Sequence, residues 1–303
     1  MNSRLFTLEY EDFSRKELEK LLVANTPPAR LKIEGLSHVT VRSLWARLAQ
    51  RVYPGAFLIP TRVNGIRASF LVDTGAVLTT LSPRAAVSSK VLLTQRAPDI
   101  LIEGQETPTY VGWLHELQVS GLRFQGVPVL VLGKQLVLKL LGIPIWSLDG
   151  FLGMEPLRHV VLTLDYRHGM VLLQRTPYMS PPAASSADLK LMEQEWSGIR
   201  YATPIVEGFV EGAGPLPCLI DTGGSAIVGI GDDLIARLSW QEGRRISRIN
   251  LGAIELRDVP AISGKAGGRR LTGVILVGSG VFQSQGFKRL TLDFLAGKLY
   301  AER

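Results

Sequence analysis

The sequence predicts an all-β protein, mainly strands with short helices, folded as two pseudo-symmetric lobes behind a partly helical N-terminal extension. Three observations lead there. First, the chain repeats itself: FLVDTGA around Asp73 is matched by CLIDTGG around Asp221, and LTLDYRHG at 162–169 by LTLDFLAG at 290–297. Second, an apolar run closing on glycine lies inside each pair, GFLG at 150–153 and VILVG at 274–278. Matched signals in the same order indicate an internal duplication. Third, 31 glycines and 17 prolines are spread along 303 residues, which suits many short strands joined by frequent turns.

The elements follow in order. Residues 1–55 have no counterpart in the second half and form the extension. Within it, 14–22 reads as a helix, with Ser14 as N-cap and Glu17 completing a capping box; 43–52 reads as a second helix. The first lobe spans 56–175. Strands at 57–63 and 68–72 flank Asn64-Gly65, a strong hairpin turn. Another pair, 114–119 and 124–131, flanks Ser120-Gly121, and a short helix covers 84–89. Residues 176–198 read as a linker, PPAASSAD followed by a docking helix over LKLMEQEW. The second lobe spans 199–303, with strands at 206–210 and 216–220 and a helix at 232–238. Asp73 and Asp165 are 92 residues apart, Asp221 and Asp293 only 72. The excess of the first copy falls after its DTG and within 134–148.

Composition narrows the function classes. The net charge of +7 comes without a Lys/Arg block interleaved with aromatics. The densest basic spots, Arg244-Arg245 and 265–270, read as solvated turns, so no nucleic-acid partner is expected. The N-terminus lacks the apolar core of a signal peptide. The most apolar stretch, 127–146, is interrupted by Lys134, Lys139 and Pro144, so no membrane span is expected and the setting reads as cytoplasmic. The one cysteine, Cys218, sits in an apolar run as a buried small hydrophobe. His38, His115, His159 and His168 form no metal-binding spacing. Ser225 lies in GGSAI rather than GxSxG, and there is no phosphate loop. No metal or cofactor is expected.

The two DTG turns carry the chemistry. An Asp at the end of an apolar strand is costly unless it is paired or hydrogen-bonded. Glycine permits a tight turn with amides directed at the carboxylate. The threonine hydroxyl can bond the backbone of the opposing loop. Two such turns face to face bring their carboxyls within about 3 Å, where both cannot ionise. They then share a proton and titrate as a unit. The ionised member can activate a water, while the protonated member polarises a carbonyl. Asp165 and Asp293 also recur, but the YxxG or FxxG that follows marks strand ends entering hairpins, and both read as structural.

This pattern of apolar strand, DTGA, GFLGM and a strand ending LDY resembles the retropepsin-like aspartic peptidases, over about 56–175 and again over about 199–303. The resemblance implies two acid-protease barrels fused in one chain, acting as a monomer with an internal pseudo-dimer. It implies an aspartic endopeptidase with Asp73 and Asp221 as catalytic acid and base, and Thr74, Gly75, Thr222 and Gly223 shaping the turns. Phe151-Leu152-Gly153 and Leu276-Val277-Gly278 would thread behind the two Asp loops. The substrate would be a peptide or protein bound as an extended strand. Only 26 residues separate Gly223 from Ile249, against 42 between Gly75 and Leu117. One flap hairpin is therefore expected, in the first copy near 102–113, with Tyr110 and Trp113 facing substrate. The second copy departs from the pattern with Gly224 after its DTG. Ala76 removes the hydroxyl that pepsin-like sites often have there, which favours a working range nearer neutral pH. Two alternatives remain open: a peptide-binding module without catalysis, and a latent protease controlled by its N-terminal arm.

Overall fold

The computed structural model describes residues 6–23, 31–43, 53–102, 105–140, 143–196, 199–264 and 271–303. The extension holds β1 (Phe6–Asp12), α1 (Arg15–Glu19), β2 (Lys32–Gly35) and β3 (His38–Arg42). The first lobe holds β4 (Leu58–Val63), β5 (Ile66–Val72), β6 (Thr79–Leu81), α2 (Pro83–Ser88), β7 (Leu92–Ile102), β8 (Gln105–Val119) and β9 (Leu122–Leu132). It continues through β10 (Lys134–Leu140), β11 (Ile143–Ser147), β12 (Gly150–Leu152), α3 (Met154–Leu157), β13 (Val161–Asp165) and β14 (Met170–Gln174). Then come β15 (Ser185–Trp196), β16 (Ile199–Val210), β17 (Ala213–Asp221), β18 (Val228–Ile230), α4 (Asp232–Arg237), β19 (Ile246–Leu251) and β20 (Ile254–Val259). The chain ends with β21 (Ala261–Ser263), β22 (Ile275–Gly278), α5 (Ser279–Ser284), β23 (Arg289–Asp293) and β24 (Lys298–Glu302).

The first lobe is a closed barrel. Pairing runs β9–β6–β12–β5–β4–β8 and returns to β9. The β4–β5 turn uses Asn64 and Gly65, both at positive φ, the backbone required by a two-residue hairpin of type I′. The second lobe repeats the central motif: β17 lies between β16 and β22, and β22 pairs with β18. A shared sheet joins the lobes, in the order β15-β24-β23-β13-β14-β3. At its centre the repeated LTLD segments pair with each other, Leu162 with Leu292 and Leu164 with Leu290. Thr163 and Thr291 meet there, their buried hydroxyls 2.9 Å apart. This pairing is the pseudo-twofold point of the duplication.

The two regions of excess length in the first copy are the long β7–β8 hairpin and the β10–β11 pair. The extension is woven into the lobes. β1 pairs with β10, β2 with β9, and β3 with β14 at the edge of the shared sheet. Leu18 of α1 is completely buried in the main core. Just after α1, Val23 N donates to Leu93 O and Leu93 N to Leu21 O, so this strand-like stretch lies along the base of β7.

Two local expectations are corrected. The helix at 14–22 is shorter, and Ser14 makes no side-chain cap bond; Glu17 N bonds the Ser14 carbonyl instead, so the capping box does not form. The segment LKLMEQEW is strand, not helix. Ala187 and Leu189 point inward while Asp188 and Lys190 are exposed, a period of two that buries one face of a sheet. The open edges of β24 and β16 supply its partners. The expected helix over 43–52 lies, beyond Ser43, outside the described residues, as does the basic spot 265–270. Among the described residues no helix is long and apolar enough to cross a membrane.

If α1 is part of the core, Leu18→Ala should cost about 2–5 kcal/mol by urea unfolding, the range for buried Leu truncation. A loss below about 0.5 kcal/mol, typical of surface changes, would remove α1 from the core.

Candidate active site

β5 and β17 each end on an aspartate. Phe70 and Val72 of β5 are buried on the core side, so the alternation carries the chain to Asp73 at the end of a well-packed strand. Asp73 N donates to Leu152 O of β12 at 3.0 Å. On the other side β17 runs parallel to β22, with Ile220 opposite Val277 and Asp221 opposite Gly278. The two apolar-apolar-Gly segments thus thread beside the Asp turns. Each needs its glycine: a Cβ at Gly153 would lie 2.3 Å from Leu78 O, and one at Gly278 would lie 2.1 Å from Ser225 O.

The turns fold onto their own carboxyls. Gly75 N and Ala76 N donate to Asp73 Oδ1 at 2.8 and 3.0 Å, and Gly223 N donates to Asp221 Oδ1 at 2.9 Å. The two turns are locked to one another by threonine. Thr74 N donates to Thr222 Oγ1 at 2.9 Å, and Thr222 N to Thr74 Oγ1 at 3.0 Å. Each hydroxyl in turn donates across the interface, Thr74 Oγ1 to Ile220 O at 2.6 Å and Thr222 Oγ1 to Val72 O at 3.1 Å. Both threonines are completely buried.

This grip sets the aspartates against each other. A Cβ at Gly75 would fall 2.7 Å from the Asp221 carboxyl carbon, and one at Gly223 only 2.5 Å from that of Asp73. The glycines are therefore required by the opposing carboxyl as well as by the turn. Burial pushes Asp221 well above the usual carboxylate range; the charge of Asp73 and a hydrogen bond with it push the same way. The amides of Gly223 and Gly224 pull against this shift and do not cancel it. Gly224 has its own steric reason, since a Cβ there would lie 2.8 Å from Gly278 Cα. The corresponding Ala76 brings a methyl, so neither loop offers a hydroxyl at that position.

Asp165 and Asp293 serve the hairpins. Asp165 accepts from His168 N and Arg289 Nε, and Asp293 accepts from the amides of Tyr178, Leu295 and Ala296. Tyr110 is corrected: it is 1% exposed and belongs to the main core, so its ring cannot face a substrate. Trp113 is half-buried and pairs with Leu92, at the end of the hairpin farthest from its turn. Residues 103–104 lie outside the described residues.

One site residue has no signal in the duplicated pattern. Tyr53, from the end of the extension, lies close enough to Asp221 and Asp73 to feel both charges, with its hydroxyl toward Ser225. Its phenol is pushed up to about 12, first by the crowding around it and then by the two aspartates. The ring is nonetheless 42% exposed, as a residue in a cleft wall would be. Nothing in its sequence context, RVYPGAF, marks it, because the extension has no second copy.

A family model described as Aspartyl protease matches residues 59–155. No curated protein matches the chain. Among solved structures it is similar to the crystal structure of a retropepsin-like aspartic protease from Rickettsia conorii. That alignment has 18% identity, covers 48% of this chain and 95% of that one, and has a TM-score of 0.31.

The raised Asp221 has a consequence for stability. A carboxyl held above its unfolded value stabilises the fold below that value, about 3.9 for Asp. The contribution is lost as pH rises through the folded value. Asparagine carries no such loss. Asp221→Asn should therefore gain thermal stability relative to wild type between pH 4 and pH 8 (both about, on this scale). A gap that stays constant over that range, measured by calorimetry, would contradict the raised value.

Proposed function

We propose, from a first lobe matched over residues 59–155 by the Aspartyl protease family model and a second that repeats its Asp turn, that this protein is an endopeptidase with Asp73 and Asp221 as its catalytic pair. The observation that carries the reading is the threonine grip, which presses the glycine of each turn against the carboxyl of the other. Two carboxyls so placed retain one proton between them, the behaviour general to aspartic proteases. The ionised group takes a proton from a water as that water attacks the scissile carbonyl. The protonated group hydrogen-bonds the carbonyl oxygen and supports the developing charge. Collapse of the tetrahedral intermediate returns a proton to the leaving amine, which restores the pair.

The substrate would lie as an extended strand between the lobes, using backbone hydrogen bonds. The β7–β8 hairpin is the flap in this reading, and the described residues of the second lobe, with their short β19–β20 pair, supply no second one. Because both Asp turns belong to one chain, a monomer holds the whole site. We infer a cytoplasmic setting: the single cysteine, Cys218, is buried and its thiol pushed up to about 12 by that burial, so the fold relies on no disulfide.

Asp73→Asn and Asp221→Asn should each lower peptide-library cleavage by roughly 10²–10⁴-fold or more, the scale of a lost acid–base group. Equal turnover by wild type and Asp73→Asn would exclude the proposed pair. A folded wild type that binds peptides without cutting any would favour a binding module.

The pH profile supplies a second test. The working pair carries one proton, so activity falls at low pH when both groups are protonated and at high pH when neither is. The raised Asp221 moves the upper limb toward neutral. Cleavage should peak above about pH 3.5, just under the ordinary Asp value; an optimum below that would contradict the assignment.

A further inference from the structure

The segment that carries Tyr53 is fastened to the second lobe. Gly55 N donates to Gln283 Oε1 of α5 at 2.7 Å, and Ser279 Oγ lies 2.9 Å from Gly55 O and 3.2 Å from Thr222 O. The backbones touch as well, since a Cβ at Gly280 would lie 2.2 Å from Pro54 O. Ala56 N returns to Tyr53 O at 3.2 Å, closing a turn. The segment leading into the first lobe is thus pinned against the second lobe beside its Asp turn. A side chain that leaves such a turn has a fixed position, whereas one on a loose loop would adapt to whatever it meets.

That position is beside the second Asp turn: the same Cβ at Gly280 that would meet Pro54 O would lie 2.8 Å from Ser225 C, and Asp221 is near enough for its charge to reach the phenol. We propose, resting on the endopeptidase reading, that Tyr53 is a specificity-determining residue. Its ring forms the wall of a substrate side-chain pocket beside Asp221, which takes an apolar or aromatic residue adjoining the scissile bond. The ring is large, half open to solvent and held from behind, so an apolar side chain can cover it and exclude water. Burial first, and then the charges of the two aspartates, hold the phenol neutral, so the wall presents no charge that would repel an apolar side chain.

The test is cleavage-site profiling on a peptide library with wild type, Tyr53→Phe and Tyr53→Ala. Tyr53→Ala should reduce the preference for aromatic over small residues at one position by about 10-fold or more in relative kcat/KM, the scale of lost pocket contacts. Tyr53→Phe, which keeps the ring, should retain the wild-type ranking. The pH optimum should stay in place in both variants. If Tyr53→Ala fails to fold, Tyr53→Leu carries the same comparison, and a changed ranking at one position supports the pocket. A profile that superimposes on wild type, or a uniform loss across all peptides, overturns the pocket while leaving the endopeptidase reading intact. Absence of wild-type cleavage overturns both.

Discussion

The reciprocal hydrogen bonds between Thr74 and Thr222 are the constraint on which the site depends. They are buried, they cross between lobes, and each threonine acts twice, accepting an opposing amide and donating to an opposing carbonyl. Two carboxylates about 3 Å apart would repel by about 5 kcal/mol at an effective dielectric of 20. No turn would hold two free carboxylates together against that. One shared proton removes most of the repulsion, so the structure that forces the approach also forces the protonation state. The upward displacement of Asp221 comes first from its burial and then from the charge of Asp73, and the two threonine hydroxyls help to set both.

The other end of the pseudo-twofold axis is the LTLD seam. There the two copies are joined by five paired positions of β13 and β23, with Thr163 against Thr291 at the centre. Asp165 and Asp293 close the hairpins that lead out of the seam, and their buried carboxyls are fully occupied in doing so. Two repeated pairs of aspartates in one chain thus have different physical work. One pair is occupied by amides and cations alone; the other has the amides of its own turns and, beyond them, its partner carboxyl.

Much of this was legible because duplication turns weak motifs into strong ones. A single DTG is a common turn, but two in matched context, one followed by GFLG and the other by VILVG, specify the crossing of strands behind each Asp. The Asn64-Gly65 hairpin and the helices near 84 and 232 were readable from local rules. LKLMEQEW misled because its residues favour helix in isolation, and only the open edges of β16 and β24 decide for strand. Tyr110 misled because proximity in sequence to a hairpin tip says nothing about which face of β8 meets the core. Tyr53 was illegible for another reason: its place is fixed by long-range bonds from Gly55 to Ser279 and Gln283, which no local pattern announces.

The asymmetry of the molecule lies in its walls and not in its floor. The Asp turns, the threonine grip and the strands behind them repeat closely from one lobe to the other. The long β7–β8 hairpin, the β1–β10–β11 sheet and the extension belong to one side or cross between sides. Two identical walls would offer an extended peptide the same surface in either chain direction. Unequal walls do not, because each side chain of the peptide then meets a different surface when the chain is reversed. On the endopeptidase reading, fusion of two lobes therefore does more than remove the need for a partner. It leaves the chemistry symmetric, as a shared proton requires, while allowing the selection of substrate to become directional.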